Sequence, residues 1–275
     1  MACRYFEGKE QASSYWKHRL PPSDHLIQQL LEFMEKQKAG PYELAVDVGC
    51  GPGRGTALLA KHFASVVGLD VSPAQIEVAL QRSKEPNIDF RQSVAEELPF
   101  SDSSVDLVTS MSAFHWFDRQ RFLQEVHRVL KPRGCLVLLC YHLPLDLNYP
   151  NCCSHTLSQI NKEFSHGFQS HRQTHVGPDH KKLYKDAYDS IPYPVKEWHE
   201  KVPVKRTMTL SNYIGLEETC GDYQALLRDD PQKATKLSQD FAQRLMSVMG
   251  VTSMEPEVEV IQTYFYVVAC KPQEV

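Results

Sequence analysis

The sequence lacks any apolar run long enough to cross a bilayer, and its first residues lack the apolar core of a signal peptide. A membrane-spanning helix needs about 20 mostly apolar residues in succession. The sequence also lacks a C-x-x-C pair, although it has eight cysteines at irregular spacings. A chain of 275 residues does not need disulfides to hold its core. These absences favour a cytoplasmic protein with reduced thiols and no membrane partner.

An excess of positive charge is also missing. Lysine and arginine number 30 against 34 acidic residues, which gives a formal net charge of -4. Nucleic-acid-binding chains usually carry a basic footprint, so we expect no nucleic-acid partner. No repeat, low-complexity tract or interface pattern is visible, and 42% hydrophobic content is enough for one sizeable core. We therefore expect a monomer with a single domain.

Strands alternate with helices through the first half of the chain. Apolar runs predict short strands at 44–48, 66–70, 88–92, 105–110 and 135–141. Ser23, Ser72-Pro73 and Asp118 are typical of helix starts, and residues 55–63 also follow a helical pattern. This alternation is typical of βαβ units, and it predicts an α/β fold with a doubly wound, mainly parallel sheet.

The second half of the chain is harder to interpret. Residues 143–201 are rich in His, Pro, Tyr and Asn with little periodicity, and we interpret them as an insertion over one end of the sheet. A strand is expected at 202–208, and helices at 211–227 and 231–249. The long run 257–270 is expected to form a final strand at a sheet edge that becomes buried.

A glycine-dense loop, "VGCGPGRG", joins the first strand to the next helical pattern. Its spacing is G-x-G-x-G at Gly49, Gly51 and Gly53, with neither the lysine of a P-loop nor the G-x-G-x-x-G of a dinucleotide loop. Asp47 stands two residues before the first glycine, where a carboxylate repels a pyrophosphate but attracts a cation. S-adenosylmethionine is cationic at its ammonium and sulfonium groups. The alternative interpretation is that Asp47 only caps a turn.

Asp70 ends the second strand, a little over twenty residues after Asp47. In doubly wound folds an acidic residue at this position accepts hydrogen bonds from ribose hydroxyls, although a strand-terminal aspartate alone is more often a helix cap. Together with the glycine loop it favours S-adenosylmethionine. We expect Asp47→Ala to lose cofactor affinity, and Asp70→Ala to lose less.

These features resemble the class I S-adenosylmethionine-dependent methyltransferases with a type 11 domain. The matching segments are "VDVGCGPG", "VVGLDVS", "AEELPFSDSSVDLVTSMSAFHWFD" and "EVHRVLKPRGCLVLL". The resemblance implies a seven-stranded Rossmann-like sheet with an antiparallel last strand and an insertion after strand 5. It also implies S-adenosyl-L-methionine as cofactor and S-adenosyl-L-homocysteine as product.

The resemblance also implies a set of cofactor-binding residues. They are Tyr15, Asp47, Gly49, Cys50, Gly51, Gly53, Asp70, Val71, Val94, Ala95, Glu96, Ser110 and Met111. Relatives often place an aspartate in the adenine loop where this chain has Ser93 and Val94, so the base contact is expected from the Ala95 N–H and from Glu96. Arg133 replaces a usual glycine in a surface turn, and no functional effect is expected.

The segment "YWKHRLPPSDHLI" resembles the N-terminal element of the trans-aconitate methyltransferase branch, which methylates carboxylates of small acids. This resemblance implies an N-terminal helical lid at 1–40, over a cofactor-binding core at 41–142. It places Tyr15 and Arg19 near the methionine end of the cofactor. The insertion 143–201 then lies on the substrate side, and 202–275 completes the sheet. A carboxylate is ionised at neutral pH, so it can attack the sulfonium methyl group without a general base.

Candidate acceptor-site residues lie just after the fourth strand and in the segments before and after the cofactor-binding motifs. His115 and Trp116 are the predicted catalytic residues there, together with Arg19; the alternatives are a histidine bonded to a backbone carbonyl and a tryptophan that only packs. Arg19 and Arg206 can each grip a carboxylate bidentately, or lie on the surface. Tyr188 and Trp198 are candidates for the inner wall of the insertion, with core packing as the alternative.

The histidines of the insertion are candidates for a metal site. His166, His171, His175 and His180 lie close in sequence, downstream of Cys152 and Cys153. Zinc needs three or four fixed ligands, and no pair here has a recognised metal-binding spacing. We therefore expect no metal.

Two further functions remain open at this level. The chain is alternatively a methyltransferase for RNA, protein or lipid, because the acceptor is not encoded in the cofactor motifs. It is otherwise a non-catalytic module that binds cofactor and serves an interaction. The expected partner is a small-molecule acceptor, since no motif typical of amine methylation follows the fourth strand.

Overall fold

One sheet organises the part of the chain that the computed structural model describes, which is Phe6, residues 8–172 and residues 179–273. Its strands are β1 Tyr42–Val48, β2 Phe63–Asp70, β3 Ile88–Gln92, β4 Val105–Met111, β5 Leu130–Tyr141, β6 Asp146–Asn148, β7 Val195–Thr209 and β8 Glu257–Cys270. Helices cover the sheet. They are α1 Lys9–His18, α2 Asp24–Gln37, α3 Pro73–Arg82, α4 Arg119–Val129, α5 Ser154–His166, α6 His180–Ser190, α7 Leu210–Glu218, α8 Gly221–Asp229 and α9 Pro231–Met249.

The predicted helix starts are confirmed by their capping hydrogen bonds. Ser23 accepts from the Leu26 N–H, Ser72 from the Gln75 N–H, and Asp118 from the Arg121 N–H. Pro73 follows Ser72 at the first turn of α3, where its missing N–H costs nothing. The expected helix at 55–63 is instead a run of 3₁₀ turns at 56–62.

The strand order is β3-β2-β1-β4-β5-β8, parallel as far as β5, with β8 antiparallel to β5. This confirms the doubly wound sheet and its antiparallel last strand. Within the described residues the sheet has eight strands instead of the expected seven. The extra strand is β6, which continues the line of β5 along one side of β8.

The expected place of the last strand at the sheet edge is wrong. β8 is interior, because β5 and β6 pair with one side of it and β7 pairs with the other along its whole length. β7 begins at Val195, inside the segment expected to be an insertion, and it forms the edge. The alternating pattern of β8 therefore reflects the two differently covered faces of the sheet, not an exposed side.

Alternate residues of the central strands enter two cores on opposite faces. In β1, Ala45 belongs to the core formed with α2, α5, α7, α8 and α9, while Val46 belongs to the core formed with α4 and α6. Because both faces are covered, the carboxyl ends of the parallel strands are left as the open edge. No helix in the described ranges is long and apolar enough to cross a membrane.

Candidate functional site

A cavity lies at the carboxyl ends of β1, β2 and β4, where ligands bind in open α/β sheets. It brings together thirteen of the residues expected from the sequence. They are Tyr15, Arg19, Asp47, Gly49, Cys50, Gly51, Asp70, Val71, Val94, Ala95, Glu96, Met111 and Trp116.

Three expected site residues, Gly53, Ser110 and His115, do not line this cavity. Gly53 packs against the ring of Phe90, because a Cβ atom at Gly53 would lie only 2.5 Å from Cζ of Phe90. Ser110 is fully buried in β4, and its side chain faces the opposite side of the sheet from that of Met111 because strand side chains alternate. His115 instead stacks its ring on that of His180, with ring centroids 4.3 Å apart.

The glycine loop turns tightly beneath the cavity. The Gly49 and Cys50 N–H groups both donate to the Leu69 carbonyl, at 2.8 and 2.9 Å. Gly49 has φ +71°, and a Cβ there would lie 2.3 Å from the Cβ of Ala113. Gly51 has φ +54°, but a Cβ there would meet nothing closer than 3.9 Å. The missing side chain of Gly51 thus leaves space inside the cavity, where a ligand can approach the backbone.

Asp47 is held as a fixed anion at the end of β1. Its Oδ2 accepts from the Thr56 hydroxyl at 2.6 Å, and its Oδ1 from the Thr109 hydroxyl at 2.8 Å. Burial raises the pKa of Asp47 to about 6, against the two threonine hydrogen bonds, which lower it. At neutral pH the carboxylate is therefore mainly charged and already oriented for a cation.

Asp70 is fixed by backbone donors. Its Oδ2 accepts from the Gly51 N–H at 2.8 Å and its Oδ1 from the Ser72 N–H at 2.9 Å. Burial raises the pKa of Asp70, and these backbone hydrogen bonds oppose the rise. The cap of α3 is Ser72, so Asp70 is not the helix cap of the alternative interpretation and instead faces the cavity.

The loop 93–96 forms the wall where an adenine base is expected. Ser93, Val94, Ala95 and Glu96 all line the cavity. Glu96 Oε1 accepts from the Asp118 N–H at 2.8 Å, so its carboxylate is tied to the start of α4.

The N-terminal segment covers the cavity. The Phe6 carbonyl accepts from the Ser72 hydroxyl at 2.7 Å, and the Phe6 ring meets those of Tyr15 and Trp116 edge-on at 5.8 and 5.9 Å. These three side chains all line the cavity. The aromatic cluster therefore shields the cavity from water on the side of α1.

Arg19 lies at the other end of the cavity, among tyrosines. Its Nε donates to the Thr219 hydroxyl at 2.7 Å, its Nη1 donates to the Tyr141 hydroxyl, and its guanidinium lies over the Tyr15 ring. Tyr264 lines the same region. Burial acts to lower the pKa of Arg19, but electrostatic interaction with Tyr141, Tyr15, Cys220 and Glu217 outweighs it, so the pKa lies above its usual value. Arg19 makes no ion pair with any carboxylate in the described residues.

Sequence reasoning missed Glu217, Tyr141 and Tyr264. Glu217 is buried in α7, and its Oε1 has no hydrogen-bond partner in the described part of the chain. Burial raises the pKa of Glu217 to about 7, while Arg19 and Tyr213 oppose the rise. Glu217 and Arg19 also line a second, smaller cavity. In the sequence, only Tyr141 carried a signal for the site, because it ends a predicted apolar strand and a strand end is where a ligand is expected.

Other candidates lie away from the cavity. Arg206 donates to the Pro21 carbonyl at 2.5 Å and so holds the segment that follows α1. Trp198 packs against Phe265 and Tyr188, with ring centroids 6.0 and 6.3 Å apart, which agrees with the core-packing alternative.

The described histidines of the expected insertion do not form one cluster. His171 Nε2 lies 3.3 Å from Asp229 Oδ2, and His166 ends α5. His180 belongs to the cluster with His115. His175 lies outside the described residues.

Residues 46–138 match the family described as "Methyltransferase domain", and this range holds the glycine loop, Asp70 and the loop 93–96. A protein of Dictyostelium discoideum, named as a candidate methyltransferase, is 29% identical over 186 residues, which are 68% of this chain and 67% of that protein. The phthiotriol/phenolphthiotriol dimycocerosates methyltransferase of Mycobacterium tuberculosis is 42% identical over 92 residues. That match covers 32% of this chain and 34% of the mycobacterial protein.

Solved structures show the same fold. A candidate type II methyltransferase of Anaeromyxobacter dehalogenans superposes with a TM-score of 0.69 at 22% identity, covering 93% of this chain and 99% of that one. The phosphoethanolamine N-methyltransferase 2 of Haemonchus contortus, solved with phosphomonomethylethanolamine and S-adenosylhomocysteine, gives a TM-score of 0.53 at 17% identity. That match covers 96% of this chain and 58% of the Haemonchus chain.

Proposed function

We propose that this chain, a class I S-adenosylmethionine-dependent methyltransferase, methylates a carboxylate oxygen of a small molecule. The observation that carries the proposal is Arg19, whose partly buried guanidinium lies on the cavity wall and makes no salt bridge with a described carboxylate. The buried carboxyl group of Glu217, which lines the smaller cavity together with Arg19, acts on it electrostatically. A planar guanidinium grips a carboxylate with two parallel hydrogen bonds, and an anionic acceptor would give Arg19 a direct charged partner.

The cavity residues suit the cofactor. Asp47 offers an oriented carboxylate to a cationic group, Asp70 offers acceptors to ribose hydroxyls, and Gly51 leaves space for close approach to the backbone. The electrophilic methyl group is what S-adenosylmethionine supplies when bound.

The chemistry needs no general base. A carboxylate oxygen attacks the methyl carbon while the carbon–sulfur bond breaks, and no proton is transferred. The protein's tasks are to orient the acceptor through Arg19 and Tyr141 and to exclude water with Phe6 and Trp116. A cavity covered by its own N-terminal segment favours a small acceptor over a macromolecule. The trans-aconitate branch itself stays a prediction, as do a cytoplasmic location and a monomeric state.

Thermal unfolding with ligands tests the cofactor first. S-adenosylhomocysteine or S-adenosylmethionine at a hundred times its dissociation constant should stabilise the protein by about 2.7 kcal/mol, while NAD should not. Methyl transfer is then measured on a panel of mono-, di- and tricarboxylic acids, with phosphoethanolamine as a phosphorylated amine. Turnover of an acid supports the proposal. Cofactor binding without turnover on any acid contradicts it and favours the non-catalytic module that binds cofactor, whereas no binding at all contradicts the cofactor assignment.

A further inference from the structure

Three metal-ligating side chains meet outside the cofactor cavity. The ligand atoms of His115, Cys140 and His180 all lie within 4.8 Å of one another. They come from three separate elements: the 3₁₀ turn at 114–116, the end of β5 and the start of α6. His115 and Cys140 are buried, and His180 is partly exposed. The proposed methyl transfer does not explain why these three side chains are clustered.

We propose that His115, Cys140 and His180 form a zinc site. Imidazole nitrogen and thiolate sulfur are the donors that zinc prefers, and three protein ligands with one open position make a complete tetrahedral set. Zinc–nitrogen and zinc–sulfur bonds of about 2.1 and 2.3 Å place tetrahedral ligand atoms roughly 3.3–3.6 Å apart. The described ligand atoms, with separations up to 4.8 Å, therefore need to approach one another by up to about 1.2–1.5 Å.

One rearrangement is required. The rings of His115 and His180 are stacked, with 10° between their planes, so their in-plane lone pairs cannot both point at one ion. His180 is the side chain that can turn, because it is the first residue of α6 and is partly exposed. Zinc binding thus replaces a ring stack with two coordinate bonds.

A buried neighbour can orient one of the three ligands. The Tyr184 hydroxyl lies 3.4 Å from His115 Nδ1 and is fully buried, so it can orient the His115 ring, as hydrogen-bonded groups do around metal-bound histidines.

The site would join α6 to the edge of the cofactor cavity. Trp116, which follows His115 directly, lines that cavity and contacts Phe6. Bound zinc would therefore fix one wall of the cavity through the backbone of the 3₁₀ turn, without touching the cofactor.

Zinc content tests the proposal directly. The full chain is stripped with a chelator under reducing conditions, dialysed against zinc and measured by mass spectrometry. We expect one zinc per chain, and affinity lower by at least about 100-fold in His180→Ala and in Cys140→Ser, because loss of a ligand costs more than loss of an outer partner. His166→Ala and Cys153→Ser are matched controls that should bind zinc like the wild type.

Cobalt substitution provides a readout that does not depend on activity. Co²⁺ should give a thiolate-to-cobalt charge-transfer absorption that is absent in Cys140→Ser. Stabilisation by S-adenosylhomocysteine shows that each variant is folded. If the wild type binds no more zinc than His180→Ala, or if its cobalt spectrum lacks the charge-transfer band, the three side chains form only a packed polar cluster and the proposal is wrong.

Discussion

Thr109 donates its hydroxyl to Asp47 Oδ1 at 2.8 Å, directly across from β4 to β1, where the two residues are register partners. Thr56 supplies the second oxygen with a donor from the 3₁₀ turns that follow the glycine loop. The two hydroxyls keep a carboxylate that is 1% exposed ionised at neutral pH, since its pKa is about 6 in spite of burial. The neighbouring strand is thus part of the candidate cofactor site.

The first prediction concerns Asp47→Asn. Removing a fixed anion should weaken S-adenosylmethionine binding roughly 10- to 100-fold near pH 7.5, the range for one charge-assisted hydrogen bond. Affinity of the wild type should fall as the pH drops through about 6, because protonation of Asp47 removes its attraction for a cation. The variant should lack this pH dependence. Calorimetric titration at several pH values measures both, with exposed Asp89→Asn as control.

A companion variant tests whether Asp47 controls this pH dependence. Thr109→Val removes one hydrogen bond that lowers the pKa of Asp47, so the pH at which affinity falls should move upward. An unchanged midpoint in Thr109→Val would show that another group controls the pH dependence.

The second prediction compares Gly51→Ala with Gly250→Ala. Both glycines have positive φ, +54° and +66°, so an alanine strains both backbones by about 1 kcal/mol. A Cβ at Gly250 meets nothing within 4 Å, whereas one at Gly51 projects into the cavity. Both variants should lose similar thermal stability, and Gly51→Ala alone should lose affinity for S-adenosylhomocysteine, by at least about 10-fold. Equal affinities in the two variants would place the ligand elsewhere.

The third prediction concerns the stability of Glu217→Gln. Burial holds the folded-state pKa of Glu217 at about 7, above the usual pKa of a glutamate side chain, so the folded state retains a proton that the unfolded state releases. Wild-type stability should therefore fall as the pH rises from about 4.5 to 7, and the neutral variant should escape this loss. Urea unfolding should show Glu217→Gln more stable by about 1–3 kcal/mol at pH 8 and similar at pH 4. Glu255→Gln, at an exposed position, should match the wild type at both; a Glu217 variant less stable at pH 8 would contradict the prediction.

The fourth prediction concerns Arg19→Lys once an acid substrate is known. A lysine keeps the positive charge but cannot make bidentate hydrogen bonds to a carboxylate, so KM for the acceptor should rise by at least about 10-fold. Binding of S-adenosylhomocysteine should change little. Arg206→Lys is the matched control, because Arg206 donates to the Pro21 carbonyl and does not line the cavity. If the two variants have the same KM, Arg19 does not bind the acceptor.

Sequence reasoning selected thirteen residues that line one cavity, but it missed the helices and the start of β7 within residues 143–201. The caps at Ser23, Ser72 and Asp118 are local, so their residue types were sufficient. Helices α5 and α6 were missed because residues that are polar by type are buried in them. Asn161 and Tyr184 are both inaccessible, and Asn161 donates to the Leu145 carbonyl at 2.7 Å. A count of apolar residues overlooks such positions.

The sequence by itself determined the parallel half of the sheet and the glycine loop with its two acidic residues. Strand ends, tight turns and helix caps depend on neighbours a few residues away, so local chemistry is enough. Only the tertiary structure decided which distant residues contact the residues of the site. It brings Tyr141 to Arg19 across 122 residues of chain and Thr109 to Asp47 across 62. Those contacts depend on strand register and on the docking of α1, and neither is encoded in any local pattern.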